Sequence, residues 1–176
     1  MTTIQDILAA GKTSTDAATK AFDTLEVADI GFMLGRWKGS EVKTGNTMDG
    51  LLSAAGWYGK EFVDAEHVHP LLFRTGSKIR KLEPRLLFAG MGMSALAAKL
   101  PFIIKLFRLI QPLMQTRHSR ARLRMVEYRG KISATMQYDN LPINDVFRKV
   151  DDDTVLGVMD LKGMEQPYYF ALRREN

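Results

Sequence analysis

The residues equipped for chemistry are few. His67 and His69 stand two apart in "VDAEHVH", flanked by Asp64 and Glu66, and on a strand that spacing turns both rings to one face, where a third ligand would complete a zinc site. The following "HPLLF" reads as a loop entering a strand, which makes the pair surface decoration, and no metal is expected. Asp139, Asp145 and Asp160 are acids that the strand ends could bring together; the competing reading is that turn aspartates cap backbone amides. Tyr58, Tyr138 or Asp160 beside an apolar pocket would have shifted acidity. The chain has no cysteine, which excludes disulfides, thiol nucleophiles and cysteine metal sites together. Neither a nucleophile elbow nor a phosphate-cradling glycine loop is present. No catalytic residue is assigned, and no cofactor is implied.

The elements that must position these groups are mainly β. Ile132, Ala134, Met136 and Tyr138 alternate with Lys131, Ser133, Thr135 and Gln137, as in a strand with one wet face. "ARLRMVEY" before it alternates too, with "RG" at 129 and 130 as a hairpin turn, and "INDVFRKV", "TVLGVMDL" and "YYFALRR" follow across short polar turns. This is an antiparallel meander of five strands. Upstream, "LGRWKGSEV", "WYGKEFV" and "PLLFRT" supply further strands, and "NTMDGLLSAAG" a short helix ended by Gly56. The first thirty residues are helical, with Ser14 or Thr15 as an N-cap. A closed or nearly closed barrel is the usual answer to the edges of such a sheet. Gly35, Trp37 and Gly39 share one face of their strand, so only the indole projects and space is left beside it.

Between the β regions lies "MSALAAKLPFIIKLFRLIQPLMQTRHSR", divided by Pro101 and Pro112 into two short helices or one kinked one. On a helical projection Lys105, Arg108, Gln111 and Gln115 occupy one narrow sector and apolar residues the rest. The segment therefore covers the apolar mouth of the barrel or lies in a membrane interface; its charges and prolines argue against a span. The net charge of +5 is concentrated here: Lys99 to Lys131 carries nine basic residues against Glu127 alone. Such a patch implies an anionic partner or surface, or else a solvated basic strand. The N-terminus lacks the basic start and unbroken apolar run of a signal peptide, so a cytoplasmic protein is expected, peripheral to the inner membrane if it docks.

"LGRWKGSEV", "GWYGKEF", "HPLLF", "YDNLPINDVFRKVDDDTVLGVMDLKG" and "YYFALRR" together resemble the uncharacterised bacterial proteins named for a Gly-x-Trp-x-Gly motif, in which that module precedes a second domain of unknown function. The similarity runs from Phe22 to Arg174. The opening motif is also similar to that of calycins, the lipocalin, fatty-acid-binding and nitrobindin barrels. That resemblance implies a mainly β fold: an antiparallel calycin-like barrel with N-terminal helices and a helical insertion near residues 94–116. Residues 1–176 then form one barrel domain, with 22–90 as the motif module and first strands, 91–118 an apolar lid and 119–176 the meander. It further implies that Trp37 plugs one end and that an arginine of the last strand, Arg174 or Arg173, lies across its ring. Haem binding as in nitrobindins needs an imidazole near the C-terminal strands, and no histidine follows His118.

The expected function is binding or carrying a lipid or other hydrophobic small molecule. Candidate lining residues are Tyr58, Phe62, Phe73, Phe107, Met125, Met136, Tyr138, Phe147, Met159 and Phe170. The alternatives are a filled core without a cavity and an enzyme acting on a hydrophobic substrate in the same place. Reversible docking on anionic membrane is expected through Lys105, Arg108, Arg117, Arg120, Arg122 and Arg124 together with the apolar helix. Nucleic acid is not expected, since no aromatic interleaves the arginines from Arg117 to Arg124.

Overall fold

The computed structural model describes residues 3–86 and 101–175. α1 (Ile4–Ala10) begins with a capping box between Thr3 and Asp6 and stops at Gly11 in the left-handed conformation. α2 (Thr15–Thr24) takes Ser14 as its N-cap. β1 (Glu26–Val27), the helical turn α3 (Ile30–Met33), β2 (Gly35–Val42), α4 (Leu51–Ala55), β3 (Trp57–Phe62), β4 (Val68–Thr75) and β5 (Lys78–Lys81) follow. α5 (Pro101–Ile110) then runs into a 3-10 turn at Gln111–Met114, with Pro101 and Pro112 each at the start of its helix. The part of the expected insertion before Pro101 lies outside the described residues. β6 (Ala121–Tyr128), β7 (Lys131–Tyr138), β8 (Ile143–Lys149), β9 (Thr154–Leu161) and β10 (Tyr168–Arg174) complete the chain.

Eight strands close into an antiparallel barrel, the architecture the calycin resemblance implies. β2 pairs with β3 and β10, β10 with β9, β9 with β8, and the ring returns through β7, β6 and β4 to β3. Inside lies a core that includes Trp37, Trp57, Phe62, Met136, Phe147, Tyr168 and Phe170. α1 and α2 lie against the outer surface, where Ile7, Ala18 and Phe22 pack with Val42, Val146, Leu156, Val158 and Tyr169 in a second apolar cluster. Strands β8 to β10 are therefore covered on both faces, and β9 and β10 carry the apolar runs 155–159 and 168–172.

The ring is loosely stitched in two places. β7 and β8 pair only from Thr135↔Val146 to Gln137↔Asn144, and the two-residue β1 pairs with β8 beyond them. β4 and β6 share the single bridge Val68↔Ala121. Past it β4 gives its edge to β5, and α5 comes down on β4 with Phe107 edge-on to Phe73 at 5.5 Å.

A bulge decides what faces inward on β3. Its register with β4 slips on both sides of Gly59, whose φ is +150° and where a Cβ would lie 1.9 Å from the Trp37 carbonyl oxygen. Only glycine fits. The slip turns Trp57, Lys60 and Phe62 toward the interior, while Tyr58 bonds Glu175 and Glu61 pairs with Arg36 and Lys81 outside. The space that Gly39 leaves beside Trp37 is filled by the Trp57 ring, which a Cβ on Gly39 would meet at 2.3 Å.

Candidate functional site

The barrel interior holds two opposite charges. Lys60 from β3 and Asp145 from β8 form an ion pair of 2.7 Å, with side chains only 3% and 2% exposed. The Lys60 ammonium also donates to the Pro70 carbonyl at 3.2 Å and lies 5.0 Å from the Phe170 ring centroid, 5.7 Å from Trp57 and 5.9 Å from Tyr138. Three aromatic rings thus surround the cation, an arrangement that favours it electrostatically. Asp145 is less well served: Oδ2 meets Lys60, but Oδ1 has no hydrogen-bond partner among the described residues. Burial pushes its carboxyl above the ordinary aspartate range against the pull of Lys60. Burial likewise drives the Tyr138 phenol well up, with the Asp145 charge adding to the effect.

Beside the pair is a cavity of about 20 Å3, bounded by Met48, Leu52, Trp57, Lys60, Leu71, Tyr138, Asp145, Met159, Tyr168 and Phe170. That is room for a single water-sized group. One wall belongs to α4, which β2 holds in place: buried Glu41 accepts from the amides of Leu52 at 3.3 Å and Ser53 at 3.2 Å, from the Ser53 hydroxyl, and from the Tyr168 hydroxyl at 2.5 Å. Burial and the neighbouring Glu41 push the Tyr168 phenol far up.

The predicted lining residues divide. Tyr138, Met159 and Phe170 border the cavity; Phe62, Phe73, Met136 and Phe147 are buried in the surrounding core. Two face elsewhere. The bulge sends Tyr58 outward, under Arg74 at 4.4 Å. Met125 is 43% exposed, because β4 pairs with β6 no further than Ala121. The three acids do not converge either: Asp139 and Asp160 are exposed, and only Asp145 points inside. His67 bonds Asp64 at 2.9 Å on the surface, while His69 is buried opposite Glu61, where desolvation lowers its basicity. Among the described residues no three potential metal ligands cluster.

The far end of the barrel is sealed. Trp37 donates from Nε1 to the Met33 carbonyl at 2.8 Å, and the Arg174 guanidinium lies 4.3 Å above its ring, itself donating to the carbonyls of Phe32 and Leu34 at 2.8 and 2.9 Å.

α5 rests on the protein through Phe107, with Ile103 and Ile104 half-buried, and the turn after it buries Gln111, which donates to the Ala55 carbonyl at 3.1 Å and accepts from the Thr75 hydroxyl at 2.6 Å; the exposed Arg108 donates to the Ala54 carbonyl at 2.7 Å. These side chains satisfy the carbonyls left open at the end of α4. Phe102, Leu106, Leu109 and Leu113 recur at helical spacing and are 51% to 85% exposed. Lys105 is exposed beside them. Of the predicted docking arginines, Arg120 is held by Glu83 and Arg124 by Glu66, whereas Arg117 and Arg122 are exposed without an ion pair among the described residues. No helix among the described residues is long and apolar enough to cross a membrane.

Lys60 and Glu41 are missing from the residues singled out in the sequence. The available signal for Lys60 was its period-two spacing from Phe62, which puts a lysine on an inward face.

Two family models match the chain: one described as GXWXG protein over residues 20–78, and one described as a domain of unknown function, DUF4334, over residues 119–174. Along nearly its whole length the chain is similar to a protein from Thermomonospora curvata of known crystal structure. The two share 35% identity with a TM-score of 0.73, over 98% of this chain and 96% of that one. Among curated proteins none matches. The chain therefore belongs to the GXWXG family, with the DUF4334 domain as its C-terminal part.

Proposed function

We propose that the protein binds a hydrophobic small molecule or lipid in the barrel interior, and that α5 docks reversibly on anionic membrane for its exchange. The observation that carries this reading is the Lys60–Asp145 pair in a largely apolar, aromatic interior. Burying two charges costs several kcal/mol per ion, roughly, and a hydrophobic pair of similar volume often serves stability as well or better. An unsatisfied Asp145 oxygen next to a small cavity adds to that cost. The interior is nearly full, so a ligand enters by displacing side chains. Met48 and Met159 at the cavity are the type that repacks most easily.

The outward stripe of α5 supports the membrane part. Each Å2 of its apolar surface withdrawn from water contributes about 25 cal/mol, and each nearby cation up to about 1 kcal/mol at an anionic surface. Of the predicted docking residues, Lys105, Arg117 and Arg122 are exposed and without an ion pair among the described residues, and they serve this purpose. Their sum gives reversible attachment, as exchange requires.

Solvent extraction of gently purified protein, followed by mass spectrometry, tests the carrier: an apolar compound at near-stoichiometric amount is expected, and its absence from repeated preparations sinks the idea. A compound that emerges chemically altered after incubation would favour the second reading, catalysis on a hydrophobic substrate beside the same buried pair. For docking, the protein should sediment with vesicles containing phosphatidylserine at low ionic strength. Leu109→Glu combined with Arg122→Glu should abolish this, and equal binding by the variant refutes the docking surface.

A further inference from the structure

The polar end of the cavity specifies what kind of head group it accepts. Asp145 is 1% exposed, lines the cavity and has one oxygen engaged by Lys60 at 2.7 Å and the other without a hydrogen-bond partner among the described residues. A buried acceptor left open beside a space the size of one oxygen is completed by a donor. The Lys60 ammonium is already shared between Asp145 Oδ2 and the Pro70 carbonyl, inside three aromatic rings. A carboxylate ligand would place a second negative charge against Oδ1. An ammonium ligand would bring a like charge toward Lys60. The pair is neutral as a unit, so the matching head is neutral as well.

We infer that the site selects a neutral amphipathic ligand with a hydroxyl head, of the long-chain alcohol class, whose O–H donates to Asp145 Oδ1 while its apolar tail displaces Met48, Leu52 and Met159 along α4. This rests on the interior being the ligand site, as proposed above. No covalent step is involved.

Delipidated full-length protein would be titrated calorimetrically with 1-decanol, its methyl ether 1-methoxydecane and decanoate. Decanol is expected to bind at least tenfold more tightly than either. In the Lys60→Met, Asp145→Leu double variant the ether should still bind while the preference for the alcohol disappears; thermal melting checks that this variant is folded. Equal affinity for alcohol and ether, tighter binding of decanoate, or an alcohol preference that survives in the folded double variant each overturns the selectivity and leaves the carrier reading standing. Failure of all three probes to bind overturns both. The wild-type comparison decides the matter by itself if the double variant does not fold.

Discussion

The two tryptophans mark two ends of one barrel built to different standards. At Trp37 every polar group has a partner: the indole N–H meets a carbonyl at 2.8 Å, and the covering Arg174 is tied to two carbonyls. Around Trp57, whose N–H reaches the Gly59 carbonyl at 3.1 Å, lie a small void, a carboxylate oxygen without a partner and two methionines. Sealed packing gives a barrel its rigidity. Unfinished packing is tolerated where something else completes it, and here it occurs at the end covered by α4 and α5.

The contrast breaks most severely at Gly59, which joins the two ends. Gly59→Ala forces a Cβ into the Trp37 carbonyl, and a loss above about 4 kcal/mol is expected in urea denaturation, or no folded protein at all. Trp37→Ala should cost about 3–5 kcal/mol by the same measurement. Trp57→Phe should cost clearly less than Trp37→Phe; the reverse order would show that the Trp57 end is the structural one. Lys60→Met alone leaves Asp145 buried and unpaired and should cost about 3 kcal/mol, whereas the Lys60→Met, Asp145→Leu double variant should fall within about 1 kcal/mol of wild type.

Acid titration sharpens the comparison further, because two aspartates act in opposite directions. Asp23, bonded to Arg129 at 2.6 and 2.7 Å, has its carboxyl lowered by that contact, so its stabilisation is present above pH 3.8 and lost as pH falls through the depressed value. Asp145 has its carboxyl raised by burial, so its protonated form favours the fold below pH 3.8, and that contribution is lost as pH rises through the raised value. Unfolding curves should show Arg129→Ala removing the first slope, below pH 3.8, and Asp145→Asn the second, above it. The smallest effect is expected at Leu109→Glu, which should change stability by under about 0.5 kcal/mol while altering vesicle binding.

Much of the architecture was legible from alternation alone. The meander from Ala121 to Arg174, the cap at Ser14 and the stop at Gly56 follow from local pattern and local chemistry. The site was less so. Period two places Tyr58 with Lys60 and Phe62 on one face, and only the close approach of Gly59 to the next strand reveals that Tyr58 is shifted out. Met125 shares its face with buried Leu123, but the sequence does not show where β4 leaves β6. Asp145 lies between Ile143 and Phe147 in an apolar alternation, which marks it as inward but not as the partner of a lysine from a strand some eighty residues earlier. The orientation of α5 was not legible because its apolar residues outnumber what one face can bury: Phe107 packs on Phe73, Arg108 and Gln111 bond the open carbonyls of α4, and Phe102, Leu106, Leu109 and Leu113 stay exposed.

The single bridge between Val68 and Ala121 also sets how the barrel loses its order in time. Beside it the seam is held by the Arg120 N–H on the Val68 carbonyl, the Leu123 N–H on the Ala65 carbonyl and the Arg124–Glu66 pair. So short a ladder can open while seven other strand interfaces stay closed, and the amides near Ala121 should exchange with deuterium before those of β9 and β10, which are covered on both faces. The barrel then behaves as a slit cylinder that parts along this seam before its long ladders.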